Sequence, residues 1–372
     1  MNHPYQLDQA SCRNRQQRLT GWMKEQGVEL VIVVTPENVQ WLTGQWCKRI
    51  FQSAAAITVD GTVTLVLPDS VTCDALADQL VNYQAQWHST LRNDQVDAYS
   101  QLLVDALDVQ QSLVLGVEYS ACPQQLLQKL APRLQGELVD AEPELYRLRR
   151  RKEIDELALI QVAIGATEKM YQCARQIIRP GIGELDVFNQ LQAAAVDHCG
   201  EMLTGTGNDY QCNSRGGAPR DSIEAAAGEL YILDLGPAYR GYFADNCRTI
   251  AVTEAGPLQQ EAWARIMEVF ELVEDKVRPG VSAADVFRQV QELLDQAPVG
   301  EFNHHLGHGF GLFPHEAPHL NPCWDDSFQE GDVFTAEPGL YDPQLAAGMR
   351  IENNYLVTAS GVERLTNFSM EL

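Results

Sequence analysis

Residues 228–236 read GELYILDLG, and 103 positions later residues 331–339 read GDVFTAEPG. In the first copy Leu230, Tyr231, Ile232, Leu233 and Leu235 spell a strand apolar enough to lie inside a protein, with Asp234 among them. A buried ionised carboxylate without a partner costs several kcal/mol, so the chain must supply a cation, a hydrogen-bond network or a metal ion. In the second copy Glu337 falls on Asp234. Upstream, RPGIGELDVFNQLQ at 179–192 returns as RPGVSAADVFRQVQ at 278–291, an offset of 99. Both copies read as the end of one helix, a Pro-Gly turn and the start of another. Two matched pairs in the same order indicate a duplicated unit. Half-domains related by a pseudo-two-fold would bring Asp234 and Glu337 face to face.

Each strand is followed by a second acid. Asp245 comes eleven residues after Asp234, the spacing of two antiparallel strands joined through Arg240-Gly241, and Glu352 follows Glu337 by fifteen with a loop from Tyr341 to Gly348 between. Five of the eight histidines fall between 304 and 319, namely His304, His305, His308, His315 and His319. Gly307, Gly309 and Gly311 leave room around His308 for a backbone or a ligand to approach. Asp234, Asp245, Glu337 and Glu352 with one neutral imidazole from this cluster make an oxygen-rich set too negative to bury without two divalent ions. Paired metals that activate a water and polarise a carbonyl are a known solution for hydrolysis.

The rest of the chain frames this site. At 372 residues and 45% hydrophobic it can bury a full core and is expected to form two domains. The net charge of −24 argues against binding to nucleic acid or to anionic membranes. Nine cysteines without a C-x-x-C pair fit a reducing compartment. MNHPYQLDQASCRNRQQRL lacks the apolar run of a signal peptide, and no stretch of about 18 apolar residues appears, so a cytoplasmic location is expected. The first part alternates helical segments (15–26, 71–83, 123–134) with strands at 29–34 and 112–120 and a hairpin over 53–68 around Asp60-Gly61. No GxGxxG follows a strand, which counts against a dinucleotide site. The basic run Arg147, Arg149, Arg150, Arg151, Lys152 marks the boundary, giving an α/β domain over 1–145 and a catalytic domain over 146–372.

The segments LDLGPAYRGYFADNCRT, GHGFGLFPHEAP, GDVFTAEPGLY and RIENNYLVT resemble the pita-bread metallopeptidases, the superfamily of methionine aminopeptidase, in its Xaa-Pro aminopeptidase, prolidase and creatinase branch. TPENVQWLTG and the VDGTVTLVLP hairpin are similar to that branch's N-terminal domain. The resemblance implies an α+β pita-bread domain with duplicated halves behind a smaller α/β creatinase-type domain. It implies two divalent ions, with Mn expected and Co, Zn or Fe as alternatives, held by Asp234, Asp245, His308, Glu337 and Glu352. Asp245 and Glu352 would bridge both ions, Glu337 would also move protons, and His304 and His315 would hold the substrate carbonyl. A peptide or small-amide substrate and a homodimer are expected. The sequence departs from the family where a Pro-His pair gives way to Pro219-Arg220, where Cys247 replaces a common Thr, and where Asn353 replaces an acid. Arg220 is therefore expected to point into the pocket and, with Arg350, to bind substrate. The function implied is cleavage of the bond before proline, with a non-peptide amidohydrolase or a catalytically weak binding protein as alternatives.

Overall fold

The computed structural model describes residues 8–107, 113–134 and 136–372. The first seven residues of the N-terminal stretch, and Ser112 of the strand expected at 112–120, lie outside these. The chain divides into two compact units, one reaching to Arg149 and including Glu153–Asp155, the other formed by Arg150–Lys152 and Glu156–Leu372.

In the N-terminal unit six strands form a mixed sheet in the order Gln79–Tyr83, Val63–Pro68, Ala54–Thr58, Leu30–Val33, Leu115–Val117, Leu138–Asp140. The central strand Leu30–Val33 is buried along its whole length, as a strand between two layers must be. Leu30 and Ile32 pack with Leu103, Leu115 and Val117 in one core. The 53–68 hairpin forms as expected, with Gly61 at φ +97 in its turn. Residues 71–83 are not a helix. Their second half is the edge strand Gln79–Tyr83, running parallel to Val63–Pro68, because pairing with an existing strand satisfies its backbone and leaves its polar alternation facing water.

The C-terminal unit is the duplicated α+β domain. Helix Ile154–Ile177 leads through a turn into helix Glu184–Cys199, and Pro257–Lys276 leads likewise into Ala283–Leu294. The turns match bond for bond. Gly181 N donates to Ala225 O and Gly280 N to Phe328 O, both at 2.8 Å, while Ala225 N donates to Ile182 O and Phe328 N to Val281 O, both at 2.9 Å. Gly181 and Gly280 have φ of +84° and +88°, a conformation that glycine adopts without steric cost. One half then contributes the sheet Asn246–Ala251, Leu230–Leu235, Asp209–Cys212. The other contributes Glu316–Leu320, Gly307–Gly309, Val333–Ala336, Asn353–Val357, Val362–Arg364. Phe270, Val286, Phe302, Phe334 and Tyr355 lie in the core beneath the second half.

The hairpins keep the pseudo-symmetry at the first acid and break it at the second. In the first half Asp234 pairs with Cys247. In the second, one step beyond the Ala336–Asn353 pair, Glu337 faces Glu352. Glu352 therefore occupies the place of Cys247. Arg350, which pairs with Gly339, occupies the place of Asp245. The first hairpin turns through Arg240 and Gly241, both at positive φ (+48° and +88°), and Glu201 holds the Arg240 guanidinium at 2.8 Å.

Candidate metal centre

Asp234 sits at the end of a fully buried strand, Asp245 immediately before the strand that pairs with it, and Glu337 and Glu352 at the matching end of the second sheet. His308 lies in the middle of the strand Gly307–Gly309. The glycines around it serve close backbone approach. A Cβ at Gly307 would come within 1.9 Å of Thr335 O, and one at Gly309 within 2.1 Å of Ala317 O. These strands bring all five residues to one cavity of about 320 Å³.

Ligand atoms of Asp234, Asp245 and Glu352 lie within 4.8 Å of one another. His308 Nε2 lies 3.6 Å from Asp245 Oδ2 and 3.5 Å from Glu337 Oε1, which ties the two halves together. Asp234 Oδ1 and Glu352 Oε2 are buried with no hydrogen-bond partner. Two orphaned carboxylate oxygens in a group of four buried acids fit a set of cation ligands. Burial pushes the Glu337 carboxyl up to about 8, against the pull of Arg350. Burial raises Asp245 and Glu352 well above the usual carboxylate range, reinforced by their acidic neighbours. Burial also raises Asp234, with Arg350 opposing. Without cations the Glu337 carboxyl holds a proton near pH 7, and a divalent ion would take its place.

Arg350 answers part of the question posed by Asp234. Its Nη2 donates to Asp234 Oδ2 at 2.8 Å and also to Asp209, and its Nη1 donates to the Tyr341 hydroxyl at 3.1 Å. Arg350 lines the cavity, with its terminal nitrogens engaged by Asp209, Asp234 and Tyr341.

Arg220, expected to point into the pocket, does not line the cavity. Its guanidinium forms a fork on Glu184 (Nη2 to Oε1 2.6 Å, Nε to Oε2 3.0 Å) and donates to Cys212 O at 2.8 Å. Glu184 has no solvent exposure, and its burial draws the nearest cation away from the pocket.

His304 and His315 both reach the cavity wall. His304 Nδ1 bonds His305 O at 2.7 Å and Nε2 meets the Tyr341 hydroxyl at 3.0 Å, so both nitrogens are engaged within the protein. His315 stacks on His308 with ring centroids 3.7 Å apart. Burial pushes His304 down to about 3 and His305 to about 4, and lowers His315, so all three imidazoles are neutral near pH 7. Asn353 accepts from Arg248 Nη2 at 2.9 Å and braces the buried arginine beside Glu352.

Sequence reasoning gave no role to Asp209, Arg215, His305 or Tyr341, all of which line the cavity. Tyr341 was within reach, since it ends the quoted GDVFTAEPGLY segment. Asp209 pairs in register with Asp234, but nothing in NDYQC announces that strand.

Residues 158–359 match metallopeptidase family M24, and residues 15–151 match the creatinase/prolidase N-terminal domain. The chain is 27% identical to the putative dipeptidase YkvY of Bacillus subtilis over 96% of this chain and 99% of that protein. It is 30% identical to a Xaa-Pro dipeptidase of Pyrococcus horikoshii over 69% of this chain and 74% of that one. In fold it is similar to the prolidase from Pyrococcus horikoshii OT3, with a TM-score of 0.78 at 24% identity, covering 96% of this chain and 99% of the other.

Proposed function

The chain belongs to metallopeptidase family M24, whose members are metal-dependent hydrolases acting on peptides, and from that premise we propose that it cleaves the bond preceding proline in dipeptides and short peptides. The observation that carries the reading is the convergence of five ligand-type side chains, two with orphaned buried oxygens, on one cavity. Asp234, Asp245, His308, Glu337 and Glu352 would hold two divalent ions, with Asp245 and Glu352 between them. The carboxylate-rich set suits Mn best, and Co, Zn or Fe also fit. Bound there, the ions would activate a water and polarise the scissile carbonyl.

The protein's own residues do the rest. Glu337, ionised once cations occupy the site, takes the proton from the attacking water and delivers it to the leaving amine. His315, neutral and on the cavity wall, would offer an N–H to the oxyanion. Arg350 fixes Asp234 and Tyr341, and Tyr341 fixes His304. A cavity of about 320 Å³ lies at the lower end of small-molecule sites, roughly 300–1,000 Å³, and suits a dipeptide. With its guanidinium held by Glu184, Arg220 gives no support to a non-peptide amide as substrate.

A homodimer in the cytoplasm belongs to the same proposal. All nine cysteines are free thiols, in keeping with a reducing compartment. Among the described residues no helix is long and apolar enough to cross a membrane. The reading is tested by offering Mn-loaded protein Xaa-Pro dipeptides, longer Xaa-Pro peptides and small amides in parallel. Turnover of the proline dipeptides is expected, and turnover of non-peptide amides alone would overturn it.

A further inference from the structure

Against the main chain of Glu352 lies a buried cation, Arg248, that does not line the cavity. It has no solvent exposure, and every acceptor it meets is neutral. Nε donates to Ser369 O at 2.9 Å, and Nη2 to the Asn353 side-chain oxygen at 2.9 Å. Nη1 donates to Cys247 O at 2.8 Å and also to the main-chain oxygen of Glu352. The guanidinium carbon lies 4.7 Å from the centroid of the Phe368 ring and 5.7 Å from that of Tyr171. Among the described residues no carboxylate forms an ion pair with Arg248. Arg15, Arg150 and Arg350 are also buried, and each has a carboxylate oxygen within 2.8 Å.

The hydrogen bonds satisfy the N–H groups of Arg248 and leave its unit charge without a partner in the protein interior, a costly arrangement unless negative charge is close by. That charge is the acid group of the cavity. Nη1 sits where the two hairpins cross: Cys247 O accepts from it and also from Glu352 N at 2.9 Å, and Cys247 pairs in register with Asp234. Burial disfavours the charged guanidinium, and the field of Glu352 favours it. Asn353 decides that no closer acid takes the charge. It is fully buried, and its Oδ1 accepts from Arg248 and from Thr366 Oγ1 at 3.1 Å while its Nδ2 donates to Met370 Sδ at 3.1 Å. An aspartate of the same shape would pair with Arg248 directly. The amide leaves the charge to act on the acids across the strand.

We propose that Arg248 is a fixed counter-charge to the acid cluster, that it competes with divalent cations for the same negative charge, and that Asn353 keeps it available for this. The pair would then set how tightly this protein holds its ions. The inference rests on the metal reading above. In the metal-free protein the guanidinium offsets part of the charge that Asp234, Asp245, Glu337 and Glu352 crowd together. When cations enter, it opposes them through a wall that holds no water, where charges are screened far less than in solution. A carboxylate at position 353 would cancel Arg248 locally and leave the acids to the ions. Removing the charge altogether would act in the same direction. A purely mechanical role predicts the opposite sign, because slackening the crossing of the hairpins would spread the ligands and weaken metal binding.

The test reads metal affinity and does not depend on turnover. Metal-free full-length protein is titrated calorimetrically with Mn at pH 7 as wild type, as Asn353→Asp and as Arg248→Gln. Asn353→Asp keeps the size and shape of the side chain, so it should fold, and it should bind Mn about ten- to a hundredfold more tightly, the range over which groups behind metal ligands shift affinity. Arg248→Gln removes the charge and keeps part of the hydrogen bonding, so it should also bind more tightly than wild type, by a smaller factor. If Arg248→Gln does not fold, Asn353→Asp decides alone. Unchanged or weaker binding by Asn353→Asp overturns the proposal, and so does a folded Arg248→Gln protein that binds Mn more weakly than wild type. If neither wild type nor Asn353→Asp takes up Mn, the metal reading and this inference fall together. If wild type binds Mn and Asn353→Asp binds it no better, the counter-charge falls and the metal reading stands.

Discussion

Metal uptake by this cavity should release protons in an amount the structure bounds. The perturbation is titration of the metal-free protein with Mn at pH 7. Glu337, with its carboxyl pushed up to about 8, is roughly nine-tenths protonated at that pH and should lose close to one proton when the ion enters. Asp245 and Glu352 lie well above the ordinary carboxylate range and add to the count, so about one to three protons per chain are expected. His308 is held neutral by burial and contributes none. Because the ions bind the deprotonated form, affinity should fall as pH drops, by about tenfold per pH unit for each proton released. Calorimetric titration in buffers of different ionisation enthalpy reads the count directly, as the slope of observed heat against buffer heat. A slope of zero at pH 7 would mean that the four acids are ionised without metal, and the burial argument for the site would fail.

Further outcomes follow from other contacts. Glu337→Gln should lower kcat by at least about a hundredfold with little change in dipeptide affinity, because proton transfer is exercised at the transition state; equal losses in affinity and kcat would assign Glu337 to ligation alone. In the metal-free protein the raised carboxyl of Glu337 adds stability below its unfolded value near 4.5 that is lost as pH rises through about 8. The lowered histidines act in the opposite sense, losing stability as pH falls below about 6.5, so only the acids operate between 6.5 and 8. Tm should therefore decline across that interval, and Glu337→Gln should flatten the decline; identical slopes in scanning calorimetry would contradict it. Arg220→Gln should cost about 1–3 kcal/mol in urea unfolding, moderated by the exposure of Arg220 and by the two backbone N–H groups that still reach Glu184, and an unchanged unfolding midpoint would contradict its pairing with that buried carboxylate. Gly307→Ala should damage metal binding and stability together, since its Cβ has no space beside Thr335 O.

The convergence of the four acids was legible because they ride on a duplicated scaffold. Strand periodicity and two offsets put Asp234 opposite Glu337, and hairpin spacing brought in Asp245 and Glu352. The register of the second acids was not legible, because two residues of loop length decide whether Glu352 takes the place of Asp245 or of Cys247. Arg220 was misplaced for a reason the sequence did contain. Glu184 in RPGIGELDVF stands where RPGVSAADVF has Ala283, so one copy buries a charge that the other lacks, and that charge needs a cation. Arg215 and Asp209 lie in a segment outside both repeats, where only the folded contacts of Gly216 and Gly217 show which side chain faces the cavity. Residues 71–83 misled because a polar edge strand alternates weakly and leans on its neighbour's hydrogen bonds rather than on its own pattern.

The central claim is that five side chains from two duplicated halves hold two ions together. Its most direct test is anomalous diffraction from Mn-loaded crystals, with metal analysis of the same protein and of Asp245→Asn. Two peaks per chain are expected in the cavity, both in contact with Asp245 and Glu352, and the Asp245→Asn protein should lose both ions together. A single peak, or a variant that sheds one ion and keeps the other at full occupancy, would contradict the shared centre.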